Sequence, residues 1–225
     1  MMKMQIEKKQ IAYNRVARTS KIKYIVIHDT GNKAKGANAE AHFNYFNGGN
    51  HSSSADFFVD DVKILQINDY TKYYTWHVGD GKGKYGITNQ NSIGIEICVN
   101  ADGDYNKAFE NAIELTKHLM KELNIPAERV VRHYDASRKN CPASMSDNNW
   151  AKWERFKETI MECDIKKEES FVDIKDHFAE VDINELKEMG IVNGKTKERF
   201  MPNEPITRGE VAAIARRVIR YITGK

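Results

Sequence analysis

An α/β domain with a mixed central β-sheet flanked by helices, followed by a small, mostly α-helical C-terminal module, is the fold the sequence predicts. Three observations carry it. Short β-branched runs such as 21–28 (KIKYIVIH) and 92–99 (SIGIEICV) read as buried strands. Residues 106–124 repeat Phe109, Ala112, Ile113, Thr116, Leu119, Met120 and Leu123 at helical spacing before Pro126. A polar, charged stretch (162–170, ECDIKKEES) then separates these elements from a second patterned segment.

Strand 21–28 delivers His28 to the polar loop Asp29-Thr30-Gly31, where functional groups commonly sit. A short helix over 38–46 stops at Gly48-Gly49, and segments 54–59 and 63–67 form a hairpin around Asp60-Asp61. Strand 92–99 holds Glu96 between Ile95 and Ile97, the long helix follows, and strand 129–132 leads into His133. Helix 150–161 sets Trp150, Trp153, Phe156 and Ile160 on one side. The expected division is a first domain over 1–162, a linker over 163–170 and a module over 171–225. In that module a helix near 181–189, a turn at 190–194 and a helix over 207–221 are expected, the last opened by a capping box of Thr207 and Glu210. A unit of this size is near the lower limit for folding alone, so docking or self-association would help it.

Composition narrows the function. Hydrophobic residues at 40% and charged residues at 30% can form a core, which argues against wholesale disorder. The net charge is 35 − 32 = +3, too small a bias to imply a nucleic acid partner. No run is long and apolar enough for membrane insertion, and the opening MMKMQIEKKQ lacks the apolar centre of a signal peptide. The three cysteines, Cys98, Cys141 and Cys163, have no tight pair spacing, so a disulfide framework is not expected.

Zinc favours imidazole and thiolate, and a catalytic site keeps three protein ligands. His28 ends one strand, His133 follows another, and Cys141 lies eight residues beyond His133 in the polar segment HYDASRKNCPAS. Each alone is more often an ordinary surface residue than a ligand.

The ordered segments YIVIHDT, TWHVGDGKGKYG, NSIGIEICVN and VRHYDASRKNCPA resemble the zinc-dependent N-acetylmuramoyl-L-alanine amidases, the lytic relatives of peptidoglycan recognition proteins. The resemblance covers residues 20–162 and implies His28, His133 and Cys141 as ligands of a Zn²⁺ ion. It implies Glu96 as the proton carrier and Lys139 as the donor to the oxyanion, and it sets His77 and Trp76 along the substrate cleft. Some relatives carry a tyrosine where this chain has Ala55 and Asp56, which puts a tyrosine-assisted route in doubt and adds weight to Glu96. Cys98 reads as a buried, inert thiol and Cys163 as incidental.

Residues 171–222 resemble a single S-layer homology module, on FVDI, MGIVNG, the turn at Phe200 and Pro202, and ITRGE. Such modules hold secondary polymers of bacterial cell walls, often anionic, and the resemblance implies Arg208 as a contact, aided by Lys195 and Arg199. The plainer alternative is that Arg208 and Glu210 cap a helix. Phe178 stands where the family commonly has tryptophan. A single copy suggests weak binding or a homo-oligomer formed through this module.

Together the two resemblances imply a peptidoglycan hydrolase of the phage or prophage endolysin type. It would be made in the cytoplasm of a bacterial host without a signal peptide and act on the wall after release. A non-catalytic peptidoglycan-binding protein on the same fold is the alternative.

Overall fold

The computed structural model describes residues 5–161 and 171–223, which form two compact units divided between Glu162 and Cys163. The expected linker over 163–170, and Cys163 with it, lies outside the described residues.

In the first unit the chain runs through β1 (Ile6–Lys8), β2 (Arg15–Ala17), β3 (Tyr24–Asp29), α1 (Ala39–Asn47), β4 (Phe57–Val59), β5 (Ile64–Gln66) and β6 (Tyr73–Thr75). It continues through β7 (Ser92–Ile97), α2 (Tyr105–Leu123), β8 (Val130–Arg132), α3 (His133–Ser137) and α4 (Asp147–Met161). Six strands form one sheet in the order β1-β5-β4-β7-β3-β8, while β2 and β6 pair antiparallel in a separate ribbon. Among the described residues only the β4–β5 hairpin is antiparallel within the large sheet, so the sheet is mixed, as expected.

Side-chain alternation assigns the two faces of this sheet. Ile25, Ile27, Ile93, Ile95, Ile97, Phe57 and Val59 pack with the apolar stripes of α2 and α4, including Phe109, Ile113, Leu119, Trp153 and Phe156. Burying each such side chain is worth about 1.5–3 kcal/mol. Asp104 starts α2 by accepting from the Asn106 and Lys107 amides, and Asn124 ends it in the left-handed conformation. The opposite face of β3 and β7 carries His28 and Glu96, which are register partners across the two parallel strands.

Two local features depart from the sequence expectation. The segment after His133 is not all loop: Asp135 accepts from the Arg132 amide at 2.9 Å and holds the Arg132 guanidinium at 2.8 and 3.0 Å, which nucleates α3. In α4 the regular helix starts only after Asn148, Asn149 and Trp150, all of which have positive φ.

The second unit contains α5 (Glu180–Glu188) and α6 (Arg208–Thr223). Its core is small, with Phe171, Ile174 and Ile183 packed against Ala179 and Phe200. Asp173 ties the two ends of its loop together by accepting from the Phe200 and Met201 amides at 2.9 and 2.8 Å. Among the described residues no helix is long and apolar enough to cross a membrane.

Candidate metal centre

Parallel strands β3, β7 and β8 end side by side, and their carboxyl ends are where loops can converge on a ligand. His28 is the fifth residue of β3 and His133 opens α3 directly after β8. Cys141 is brought back by its own carbonyl, which accepts from the Tyr134 amide at 3.0 Å. The Ser144 amide then donates to Asp29 Oδ2 at 2.7 Å and fastens this loop to the end of β3.

The result is a buried group of three metal donors. Ligand atoms of His28, His133 and Cys141 all lie within 4.8 Å of one another. His28 Nδ1 is 3.1 Å from His133 Nδ1 and 3.8 Å from Cys141 Sγ. His133 Nε2 lies 2.8 Å from Asp80 Oδ1, so a proton on Nε2 leaves Nδ1 free for a cation. Asp80 reaches this position because Gly81 passes so close to α3 that a Cβ there would lie 2.2 Å from the Ala136 carbonyl oxygen. Burial would raise the Asp80 carboxyl, yet the hydrogen bond and charge of His133 bring it below its ordinary value.

Burial holds His28 well below its usual value, with His77, His133 and Lys139 adding to the effect, and burial lowers His133 despite Asp80. Both rings are therefore neutral, as metal ligands must be. Burial, then the charge of Glu96, pushes the Cys141 thiol up to about 12, so a thiolate here calls for a cation beside it. Two imidazole nitrogens and a sulfur, buried together, are the donor chemistry that suits zinc.

Glu96 borders this group, with Oε1 3.9 Å from His28 Nδ1. Burial and then Asp29 push its carboxyl up to about 8, against the pull of Lys139. Its Oε2 is one of three buried side-chain atoms without a partner among the described residues, and Thr30 Oγ1, just past the end of β3, is another. Unmet hydrogen-bonding capacity thus gathers where the two strands end. Lys139 is exposed, and its positive charge acts on His28, Asp80, Glu96 and Cys141 together.

Residues 18–144, more than half of the chain, match the N-acetylmuramoyl-L-alanine amidase family. The chain belongs to this family. Residues 170–212 match the S-layer homology domain. Among relatives, N-acetylmuramoyl-L-alanine amidase CwlH of Bacillus subtilis is 44% identical over 147 residues, which is 65% of this chain and 56% of CwlH. N-acetylmuramoyl-L-alanine amidase XlyA of the same organism is 44% identical over 140 residues, 61% of this chain and 43% of XlyA. The chain thus spans about half the length of the curated relatives it matches. The solved catalytic domain of XlyA aligns with a TM-score of 0.63 at 41% identity, covering 70% of this chain and 99% of that domain. The structure of PlyL gives 0.61 at 34% identity, covering 70% and 97%.

The remaining amidase-motif residues lie in different surroundings. His77, expected along the substrate cleft, is 8% exposed and sits behind His28. Its Nδ1 is 3.1 Å from His28 Nε2 and its Nε2 is 3.2 Å from Ser92 Oγ, so both ring nitrogens are engaged within the protein. Burial, chiefly, lowers it to about 3 and keeps it neutral. Trp76, its neighbour on the chain, is half-buried and lines a shallow groove of about 250 Å³ with Tyr74, Lys82, Asn89 and Gln90. Asp56 is fully buried and structural: it accepts from Asn68 at 2.7 Å, Thr75 at 3.0 Å and the Gly94 amide at 2.9 Å. Cys98 is buried and free.

In the second unit Arg208 is exposed at the start of α6. Glu210 accepts from the Thr207 amide and hydroxyl at 2.8 Å each, completing the expected capping box, and Lys195 donates to its other oxygen at 2.6 Å. Lys195 is therefore held by Glu210, whereas the capping does not use the Arg208 side chain.

Asp80 and Ser92 were not singled out by the sequence. Asp80 lies within the TWHVGDG motif three residues after His77, the one signal that pointed to it.

Proposed function

We propose that the chain hydrolyses the amide between the lactyl group of N-acetylmuramic acid and L-alanine in bacterial peptidoglycan, using zinc held by His28, His133 and Cys141. The buried His/His/Cys donor set, in a chain of the amidase family, is the observation that carries this reading. When bound, the zinc would polarise the scissile carbonyl and acidify water. Glu96 takes the proton of the attacking water and hands it to the leaving amine, so the C–N bond breaks as a C–O bond is made. Its Oε1, 3.9 Å from His28 Nδ1 at the edge of the donor set, is placed to accept that proton and to release it. Lys139 supplies positive charge to the oxyanion. The groove at Trp76 receives sugar or peptide.

The reading of the whole chain is an amidase domain over 1–162, a linker over 163–170 and a wall-binding module over 171–225. In the module Arg208 offers a forked donor to an anionic secondary wall polymer. Such a protein fits an endolysin made in the bacterial cytoplasm and released to the wall, with neither nucleic acid nor membrane insertion in its work.

The test digests purified Gram-positive walls with the full chain, with chelator and with zinc restored, and identifies new termini by mass spectrometry. Zinc-dependent free L-alanine amino termini without new reducing sugar ends are the expected outcome. Walls that bind the protein but stay intact with zinc present would leave the non-catalytic binding protein as the better reading.

A further inference from the structure

Behind His28 runs a chain of hydrogen bonds whose direction can be worked out from its far end. Ser92 opens β7 and is fully buried. Its Oγ lies 2.5 Å from the Thr88 carbonyl oxygen and 3.2 Å from His77 Nε2. A hydroxyl has one proton, and a carbonyl oxygen can only accept, so that proton goes to Thr88. Ser92 Oγ must then accept from His77, which puts the imidazole proton on Nε2 and leaves Nδ1 as a lone pair. Because His77 Nδ1 faces His28 Nε2 at 3.1 Å, His28 is the donor there and carries its own proton on Nε2. Its Nδ1 is left bare toward His133 Nδ1 and Cys141 Sγ.

We infer that Ser92 is a positioning residue: acting through His77, it fixes the tautomer of His28 that keeps Nδ1 free for a metal ion. The inference rests on the metal-site reading above. Neighbouring features hold each link in place. Thr88 is held in a reciprocal capping box with Asn91. Asn89 Oδ1 accepts from the His77 and Val78 amides at 3.0 and 2.8 Å, which fixes the backbone beneath the His77 ring. Gly94 makes room for that ring, since a Cβ there would lie 2.8 Å from His77 Cγ and 2.9 Å from Nδ1. His133 is set by a carboxylate and His28 by a hydroxyl acting through a second imidazole, and both present Nδ1. Ligand-orienting partners of this kind are general in metal sites, and losing one costs about 10–100-fold in metal affinity.

The experiment uses the full chain and two readouts other than hydrolysis. Nitrogen-15 NMR of the zinc-free protein reads the tautomers directly, with Nε2–H expected on both His28 and His77. A zinc dissociation constant, measured by competition with a chromogenic chelator, should weaken about 10–100-fold in Ser92→Ala. Ser92→Thr, which keeps the hydroxyl, should stay within a few-fold of the parent. An Nδ1–H proton on His28 in the zinc-free parent overturns the inference, and so does a folded Ser92→Ala that binds zinc like the parent. Equal weakening in Ala and Thr also overturns it, because packing would then be the cause. If Ser92→Ala does not fold, the parent spectrum still decides. A parent that takes up no zinc defeats the metal reading itself, whereas zinc uptake indifferent to Ser92 defeats only the present inference.

Discussion

The carboxyl ends of β3 and β7 and the surface of α6 invert the usual rule of burial in opposite senses. Around the strand ends His28, His133 and, behind them, His77 are buried with every ring nitrogen engaged inside the protein, whereas Glu96 Oε2 and Thr30 Oγ1 are buried without a partner among the described residues. On α6, by contrast, Val211, Ile219, Tyr221 and Ile222 are exposed, Ile222 at 76%, and no residue of the helix is buried. Buried polar groups cost stability unless paired, and exposed apolar groups forgo it. The first region therefore spends stability on chemistry set up in advance, while the second leaves apolar surface available for contact.

The sharpest way to break this contrast is to remove the metal. Chelation, or Cys141→Ser, is expected to abolish wall hydrolysis, and zinc is expected to raise the melting temperature of the parent but not of Cys141→Ser, as calorimetry would show. Next in size is Glu96→Gln, with an expected loss of 10²–10⁴-fold in hydrolysis. Because Glu96 Oε2 is buried without a partner, the melting temperature should hold or rise in this variant. A fall in both would mean that Glu96 supports the fold and not the reaction.

The second region is probed by weaker effects. Arg208→Ala should reduce retention on walls about tenfold, the size of one charged hydrogen bond, while cleavage of a small soluble fragment is unchanged. If copies associate through α6, light scattering at rising concentration gives a mass above one chain, and Ile219→Lys returns it to one. A single-chain mass throughout would remove self-association from the picture. Smallest is the pH response of the capping box. Hydrogen bonding from Lys195 and Thr207 lowers Glu210 from 4.5 to about 2, so its contribution is present above pH 4.5 and is lost as the pH falls toward 2. Glu210→Gln should flatten that part of the acid unfolding profile of the second unit.

Much of this was legible in the chain, for identifiable reasons. His28 and His133 stand at the ends of β-branched runs, which mark the strands, while their roles and that of Glu96 were legible only through the resemblance of the four ordered segments. The long helix announced itself through its apolar stripe, and the second unit through its turns. Strands of three residues such as β1, β2 and β6 hold too few positions to show a period, so they went unseen. Asp80 was hidden because its partner His133 is 53 residues away and only the loop at Gly81 brings them together. His77 sits in a recognisable motif, yet nothing in the motif tells whether its ring faces solvent or the back of His28. That depends on the bare Gly94 across the sheet.

The strand order also sets a timetable. β3 is made early but lies between β7 and β8, both made later, and the contact from His28 to Cys141 spans 113 residues. Closing so long a loop is slow and cannot precede the arrival of its far end. A growing chain therefore has no complete donor set until Cys141 has left the ribosome, and a fragment ending before it would be inert. The hydrolysis proposed above is thereby withheld throughout most of the chain's own synthesis.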